Sequence, residues 1–521
     1  MAILNLLRQA LLALLLALLP VAGAHAAADF IALCYHEVES DHSSGMTATA
    51  VRAGDLAAQL AWLQASGYHP ISLQQVVDAR NGGAPLPEKA VLLSFDDGKK
   101  DVYTRVFPLL KLFRFPAVVA LVGHWLDVPE GGTVDYDGKS LPRNAFVSWQ
   151  DVREMQRSGL VEIASHSYNL HRSVLANPQG NAQPSATSRL YADGAYEADE
   201  AYLARLHADL RRNRDLIERQ TGVAPRAVVW PYGRSNGAAK QLAEELGMPI
   251  GLTLVDGRNT AATPLSSLKR YLIEDSPSLQ SFAEALRQNW SPDPARSVRI
   301  VPAEWLSEEA GLSQTLDRLQ RLSINIVFVD PRASADDAGP VYFPSSQRPP
   351  AADVLNRIAW QVKTRAGSPV FIDLPQAWLT NLQLLADLAR HVTFDGVRMP
   401  LAPGDPAAKA ALAAMTRWRW PLNVAYAPAT MPQPDVWQTL PAGDFVVLPA
   451  TTESRVQRPL ATARKTLFEF DPASQPAADI AREMRRLDAD GFRQFGLSAF
   501  PETGFDPVWS ELSLRSQPLL K

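Results

Sequence analysis

Short apolar runs recur along the chain, separated by stretches in which apolar residues return every three or four positions. In the first half the runs fall at Phe30–Tyr35, Ala90–Phe95, Ala117–Val122, Val161–Ser165, Ala227–Trp230, Pro249–Leu254 and Leu268–Ile273. Each has the length and the Val, Ile, Leu and Ala content of a buried strand. Between them the 3.6-residue period predicts amphipathic helices over 55–66, 73–80, 101–113, 149–158, 236–246 and 278–288. A longer pattern over 196–220, laced with Arg, Asp and Glu, predicts a solvated outer helix, and Ser173–Tyr191 predicts a long loop before it. Strands alternating with helices predict an α/β class with a mostly parallel sheet, closed or nearly closed into a distorted (β/α) barrel. A proline-rich stretch, Trp290-Ser291-Pro292-Asp293-Pro294, reads as a hinge. Beyond it come eight further strand candidates: 298–301, 324–329, 370–372, 396–399, 422–425, 445–448, 466–470 and 492–497. Helical patterns lie between most of them, so residues 297–521 predict a second, reduced (β/α)8 TIM-like barrel after a first domain over 28–289.

Composition adds little to this picture except at the N-terminus. A net charge of −4 over 521 residues leaves no electrostatic footprint for nucleic acid. The single cysteine, Cys34, excludes an intrachain disulfide and a cysteine-rich metal site. Arg8, the apolar run to Val21 and the small-residue stretch that follows have the form of a secretory signal peptide, expected over residues 1–26. Cys34 lies beyond that cleavage region inside an apparent buried strand, a poor place for lipid attachment.

Candidate chemistry collects at three strand ends. After the run Ala90–Phe95 come Asp96-Asp97-Gly98; two adjacent carboxylates can serve two roles only if the strand is turning there, and Gly98 permits the turn. After Val161–Ser165 come His166-Ser167-Tyr168-Asn169-Leu170-His171. Two neutral imidazoles and one carboxylate suit Zn, Ni, Co or Fe and leave positions open for water and substrate, as a hydrolytic centre needs. The third is Trp230-Pro231-Tyr232-Gly233, a rigid turn that can expose the backbone N–H of Tyr232 to an oxyanion, while Trp230 and Tyr232 offer aromatic faces to a sugar. Read singly, each has a plainer explanation: a turn, a pair of structural histidines, a Pro-Gly corner.

In this order, SFDDG, HSYNLH and WPYG resemble the polysaccharide deacetylases of the NodB-homology fold (carbohydrate esterase family four), over roughly Phe30 to Gln288. The resemblance implies hydrolysis of N-acetyl groups from a glycan, with Asp96 as general base, Asp97, His166 and His171 as metal ligands, and the Tyr232 backbone as oxyanion donor. Two departures stand out. The arginine usual two residues before the proline is Val229 here, and no histidine stands at the last strand, where Leu268-Lys269-Arg270-Tyr271 is found. His36, at the end of the first strand, is the candidate general acid. The early Cys34-Tyr35-His36-Glu37 and the appended domain resemble the PgaB-type subgroup, periplasmic poly-β-1,6-N-acetyl-D-glucosamine N-deacetylases of biofilm export.

That resemblance implies a polymer of N-acetylglucosamine as substrate, outer-membrane export machinery as partner, and a monomer. In cleaving relatives of the second domain an acidic pair follows the strand that here reads Phe394-Asp395-Gly396-Val397-Arg398. Met399-Pro400-Leu401-Ala402-Pro403 follows it instead, without a carboxylate, although Asp330, Asp373, Glu469 and Glu502 lie near other strand ends. The expectation is a domain that binds glycan without cleaving it. A deacetylase of peptidoglycan or chitin-type oligomers, and a non-catalytic glycan-binding export protein, are the alternative readings.

Overall fold

A computed structural model describes residues 29–287, 294–302, 308–430, 434–441, 443–451, 460–501 and 503–513. The expected signal peptide, most of the proline-rich hinge and Glu502 lie outside the described residues. Contacts divide the chain into two compact units: residues up to 166 with 214–229 and 248–287 in one, and 167–213, 230–247 and the residues from 288 onward in the other. Among the described residues no helix is long and apolar enough to cross a membrane.

The first unit is organised by a parallel sheet. Its strands are β1 (Phe30–Tyr35), β2 (Ala90–Phe95), β3 (Ala117–Leu121), β4 (Val161–Ser165), β5 (Ala227–Val229), β6 (Ile250–Leu252) and β7 (Tyr271–Leu272), in the order β6-β5-β4-β3-β2-β1-β7. A single parallel bridge, Leu252 to Leu268, carries β6 back toward the segment leading into β7, so the sheet is nearly closed. Residues alternate between two faces, as a pleated strand requires. Phe30, Ala32, Leu92, Val118, Ala120, Ala164, Ala227 and Val229 form one apolar cluster inside the curve. Ile31, Leu33, Tyr35, Val91, Leu93, Phe95 and Val119 join a second cluster with the covering helices. Burial on both faces is why these strands read as continuous apolar runs rather than alternating ones.

Helix boundaries follow local chemistry. The helix Leu73–Arg80 starts at Ser72, whose Oγ accepts from the Gln75 N–H while Gln75 Oε1 accepts from the Ser72 N–H, a reciprocal cap. Ser148 and Asp151 make the same arrangement at Trp149–Arg157. The expected single helix over 101–113 is instead a π-helical turn, Val102–Val106, running into Phe107–Phe113. Pro108 at the start of the second piece lacks the N–H a continuous ladder needs. The long helix runs over Asp199–Thr221.

The second unit is built on a closed parallel barrel of eight strands, as the sequence predicts. These are β8 (Arg296–Ile300), β9 (Ile326–Val329), β10 (Val370–Asp373), β11 (Gly396–Met399), β12 (Asn423–Tyr426), β13 (Phe445–Pro449), β14 (Thr466–Phe470) and β15 (Gln494–Leu497), and β15 pairs back to β8 at Arg296 and Phe495. Segments 167–213 and 230–247 group with this barrel by contacts. The stretch read as an unstructured loop contains a hairpin, Ser173–Leu175 with Ala182–Pro184. Its buried Gln183 donates to Asn356 Oδ1 (3.2 Å) and accepts from Thr393 Oγ1 (2.8 Å), long-range anchors a composition-based reading cannot see.

Candidate active site

Strand parity decides which side chains reach the site. In β1 and β2 Cys34 lies opposite Ser94, so the next inward positions, His36 and Asp96, emerge side by side. Asp96 and Asp97 then part because Asp97 turns left-handed, φ +73°. Gly98 follows at φ +67°, and a Cβ there would sit 2.7 Å from Leu121 Cδ2, so glycine is required on two counts.

Asp96 is 2% exposed and held bidentately by Arg270, with Nη1 to Oδ1 at 2.7 Å and Nη2 to Oδ2 at 3.0 Å. Arg270 is itself fully buried and donates further to Ser94 Oγ (3.0 Å) and the Thr253 carbonyl (2.9 Å). Burial alone would raise the Asp96 pKa; the Arg270 guanidinium, with His166 and His36 nearby, outweighs it and holds the carboxyl below its usual range. The Cys34 thiol donates to Asp96 Oδ2 at 3.4 Å, and burial drives its own pKa well up. His36 Nε2 stands 4.0 Å from the same oxygen.

Asp97 faces the other way. Its Oδ1 is 3.4 Å from His166 Nε2, each side chain being 1% exposed. His166 Nδ1 lies 2.6 Å from the Val229 carbonyl, an acceptor that requires a proton on Nδ1, so that the neutral ring a metal needs presents its Nε2 lone pair on the side of Asp97. Thus Val229, where the resemblance would put an arginine, contributes its carbonyl, and the cation arrives from Arg270 near the last strand. One ligand atom each from Asp97, His166 and His171 lies within 4.8 Å of the other two. A carboxylate oxygen and two imidazole nitrogens at that spacing fit a divalent transition metal.

The loop carrying the histidines is shaped by its own contacts. Ser167 is left-handed (φ +68°), and Asp209 accepts the N–H groups of Tyr168 (2.8 Å) and Asn169 (2.7 Å). The His171 ring lies 4.6 Å from the Tyr232 ring at an interplanar angle of 43°. Tyr232 sits in the turn Pro231–Gly233 at φ +55°, a left-handed conformation that redirects the chain after β5. Trp230 does not serve as a sugar platform: it is 1% exposed, its ring inside the core because β5 continues straight into the turn.

Arg270, Tyr136, Glu37 and Asp209 are participants the motifs did not disclose. The Tyr136 hydroxyl lies 2.6 Å from Asp97 Oδ2 and 3.0 Å from Glu37 Oε1, and Thr49 donates to Glu37 Oε2 at 3.0 Å. Of these, only Arg270 carried a usable signal: it lies in the segment 268–273 read as the last strand, directly ahead of β7.

Residues 83–251 match the polysaccharide deacetylase family, and residues 303–385 match a family described as hypothetical glycosyl hydrolase family 13. The chain is 37% identical over 356 residues to the poly-beta-1,6-N-acetyl-D-glucosamine N-deacetylase of Escherichia coli K12, an alignment covering 66% of this chain and 53% of the relative. It therefore spans about half the length of the curated relatives it matches. Among solved structures, a de-N-acetylase from Aggregatibacter actinomycetemcomitans is 39% identical, covering 49% of this chain and 99% of that one, with a TM-score of 0.46. The BpsB deacetylase domain from Bordetella bronchiseptica is 43% identical, covering 48% and 98%, with a TM-score of 0.44. The strand-end residues that build the site from Asp96 to Tyr232 fall within the matched stretch, so residues 83–251 carry a polysaccharide deacetylase domain.

Proposed function

We propose that residues 28–289 form a metal-dependent N-deacetylase acting in the periplasm on poly-β-1,6-N-acetyl-D-glucosamine during its export. The observation that carries this reading is the division of the aspartate pair: Asp97 stands with His166 and His171, whereas Asp96 is locked by Arg270 beside His36. A divalent ion such as Zn, Ni, Co or Fe, held by Asp97, His166 and His171, would supply a Lewis acid for the acetamide carbonyl.

The remaining roles belong to the chain itself. Asp96, kept ionised and fixed in orientation by Arg270, takes the proton of the attacking water. The Tyr232 N–H donates to the oxyanion as it develops. His36 gives a proton to the departing amine, and its 4.0 Å separation from Asp96 lets base and acid face one reacting group. Acetate leaves, and the polymer gains one positive charge for each group removed.

In the second barrel a cavity of about 440 Å³ opens at the carboxyl ends of the strands, lined by Arg299, Asp373, Arg398 and Glu469 among others. Asp373 pairs with Arg299 (2.5 Å) and Glu469 with Arg398 (2.7 Å). Met399-Pro400-Leu401-Ala402-Pro403 after β11 places no carboxylate where the resemblance would put the cleaving pair, which supports binding and positioning of glycan rather than cleavage. Outer-membrane export machinery is the partner this reading implies.

Acetate release from β-1,6- and β-1,4-linked N-acetylglucosamine oligomers, measured alongside metal content, tests the proposal. Release confined to the β-1,6 series is expected, with Asp96→Asn keeping its metal and losing activity. Absence of stoichiometric metal, with no restoration by added metal, would leave a glycan-binding protein. Preference for β-1,4 oligomers would reassign the substrate, and shortened chains would refute the non-cleaving barrel.

A further inference from the structure

Away from the aspartates and histidines, the second unit contains a small, partly enclosed cavity with an unusual charge balance. Its volume is about 20 Å³, and its polar lining includes Arg234, Arg419, Ser235, Ser188 and Thr393. Among the described residues no hydrogen-bond or ion-pair partner meets the Arg234 side chain. Arg419 is 7% exposed; its Nη2 donates to the Ala389 carbonyl (3.2 Å), but its Nε has no partner. Ser235 is 2% exposed, and its Oγ is likewise unpartnered.

The one carboxylate in the lining, Asp395, is already used. Its Oδ1 pairs with Lys363 and its Oδ2 accepts the Val370 N–H at 3.1 Å. Both oxygens of Asp395 are thus occupied, and neither the buried Arg419 nor the half-buried Arg234 has a carboxylate partner among the described residues. Isolated buried charge of this kind is strongly unfavourable. The neighbouring groups register it: burial first, then repulsion from Arg234 and Arg419, lowers the Lys363 pKa to about 6, and burial brings Arg419 down to about 10.

We infer that this cavity is a binding site for one small inorganic monovalent anion of about chloride's size, received by Arg234, Arg419 Nε and the Ser235 hydroxyl. The sign follows from the lining, which offers unpartnered donors and no free acceptor carboxylate. The size follows from the volume, since one water needs roughly 10–15 Å³ on this scale and an organic anion would not fit. Arg234 follows the Pro231–Gly233 turn directly, so the anion also tethers the turn that carries Tyr232.

The test uses the full chain, metal-loaded, with chloride exchanged for gluconate at constant ionic strength. Chloride should raise the Tm saturably, by an amount on the order of 2–4 °C. Arg234→Met and Arg419→Met should each abolish that dependence, and in gluconate Arg234→Met should melt no lower than the parent protein, having lost a half-buried charge that lacked a carboxylate partner. Crystals of the unaltered protein grown in bromide should show an anomalous peak in the cavity; this arm holds even if a variant fails to fold. Equal Tm in chloride and gluconate, an undiminished chloride shift in both variants, or no bromide peak would each overturn the assignment.

Discussion

Removing the Arg270 side chain while leaving Asp96 in place should damage stability more than catalysis alone would suggest. Arg270→Met preserves the apolar stem but leaves a carboxylate that is 2% exposed facing no guanidinium. The lost contacts are the two bonds to Asp96 at 2.7 and 3.0 Å and those to Ser94 and Thr253. Breaking a buried pair from one side costs about 3–5 kcal/mol, because the surviving charge stays desolvated. The double variant Arg270→Met/Asp96→Asn removes that charge, so it should be more stable than the single variant by at least about 2 kcal/mol. The pH dependence has a defined sign. With Arg270 present the Asp96 pKa is depressed, so its contribution is present above the unfolded pKa near 4 and disappears as pH falls through the folded value. Without Arg270, burial prevails and the pKa rises; the deficit is then fully developed at neutral pH and shrinks as Asp96 protonates. Urea unfolding of the four proteins at pH 7 and pH 5, with m-values compared, measures the cycle. A coupling below about 0.5 kcal/mol, or a deficit that does not shrink at pH 5, would refute the view that Arg270 exists to hold a charged Asp96.

Tyr136→Phe keeps the ring packed against Trp125 (5.2 Å between centroids) and deletes only the hydroxyl beside Asp97; metal affinity should fall by about 10–100-fold in chelator competition. Gly98→Ala should destabilise by about 1–3 kcal/mol in thermal or urea unfolding, being left-handed at φ +67° and blocked by Leu121 at 2.7 Å. Burial raises the Asp209 pKa to about 6, so the native state holds that proton more tightly than the unfolded chain between about pH 4 and 6. Asp209 therefore makes stability fall as pH rises through that window, and Asp209→Asn should flatten this part of the profile in urea titrations at pH 4.5 and 6.5.

The strands were legible because both faces of the first sheet are buried, which makes each strand a short apolar run bounded by polar turns. β1, β2 and β4 carry their predicted limits, and inward parity alone puts His36 beside Asp96 once β1 and β2 are known to be neighbours. What could not be read were pairings across long separations. Arg270 meets Asp96 across 174 residues, and Asp209 reaches Tyr168 across 41; no local period encodes either. Trp230 shows the converse error: an aromatic residue beside a motif invites a ligand role, yet its place at the end of β5 already commits the ring to the interior. The hairpin within 173–191 was hidden by its composition, since Ser, Asn, Gln and Pro dominate a segment whose order comes from buried polar contacts such as Gln183 with Thr393.

Three supports of the catalytic pocket, Asp97 (φ +73°), Ser167 (φ +68°) and Tyr232 (φ +55°), are non-glycine residues in a backbone region side chains disfavour. Each such residue stores about 1–3 kcal/mol that the surrounding packing must withstand. Folding and function are therefore opposed at these positions. Selection for thermal tolerance alone would favour Gly or Asn at Ser167 and Tyr232, gaining a relaxed backbone while loosening the loop that presents His171 and the turn that follows β5. A survey of stabilised variants should find these positions changed only in molecules that have given up turnover.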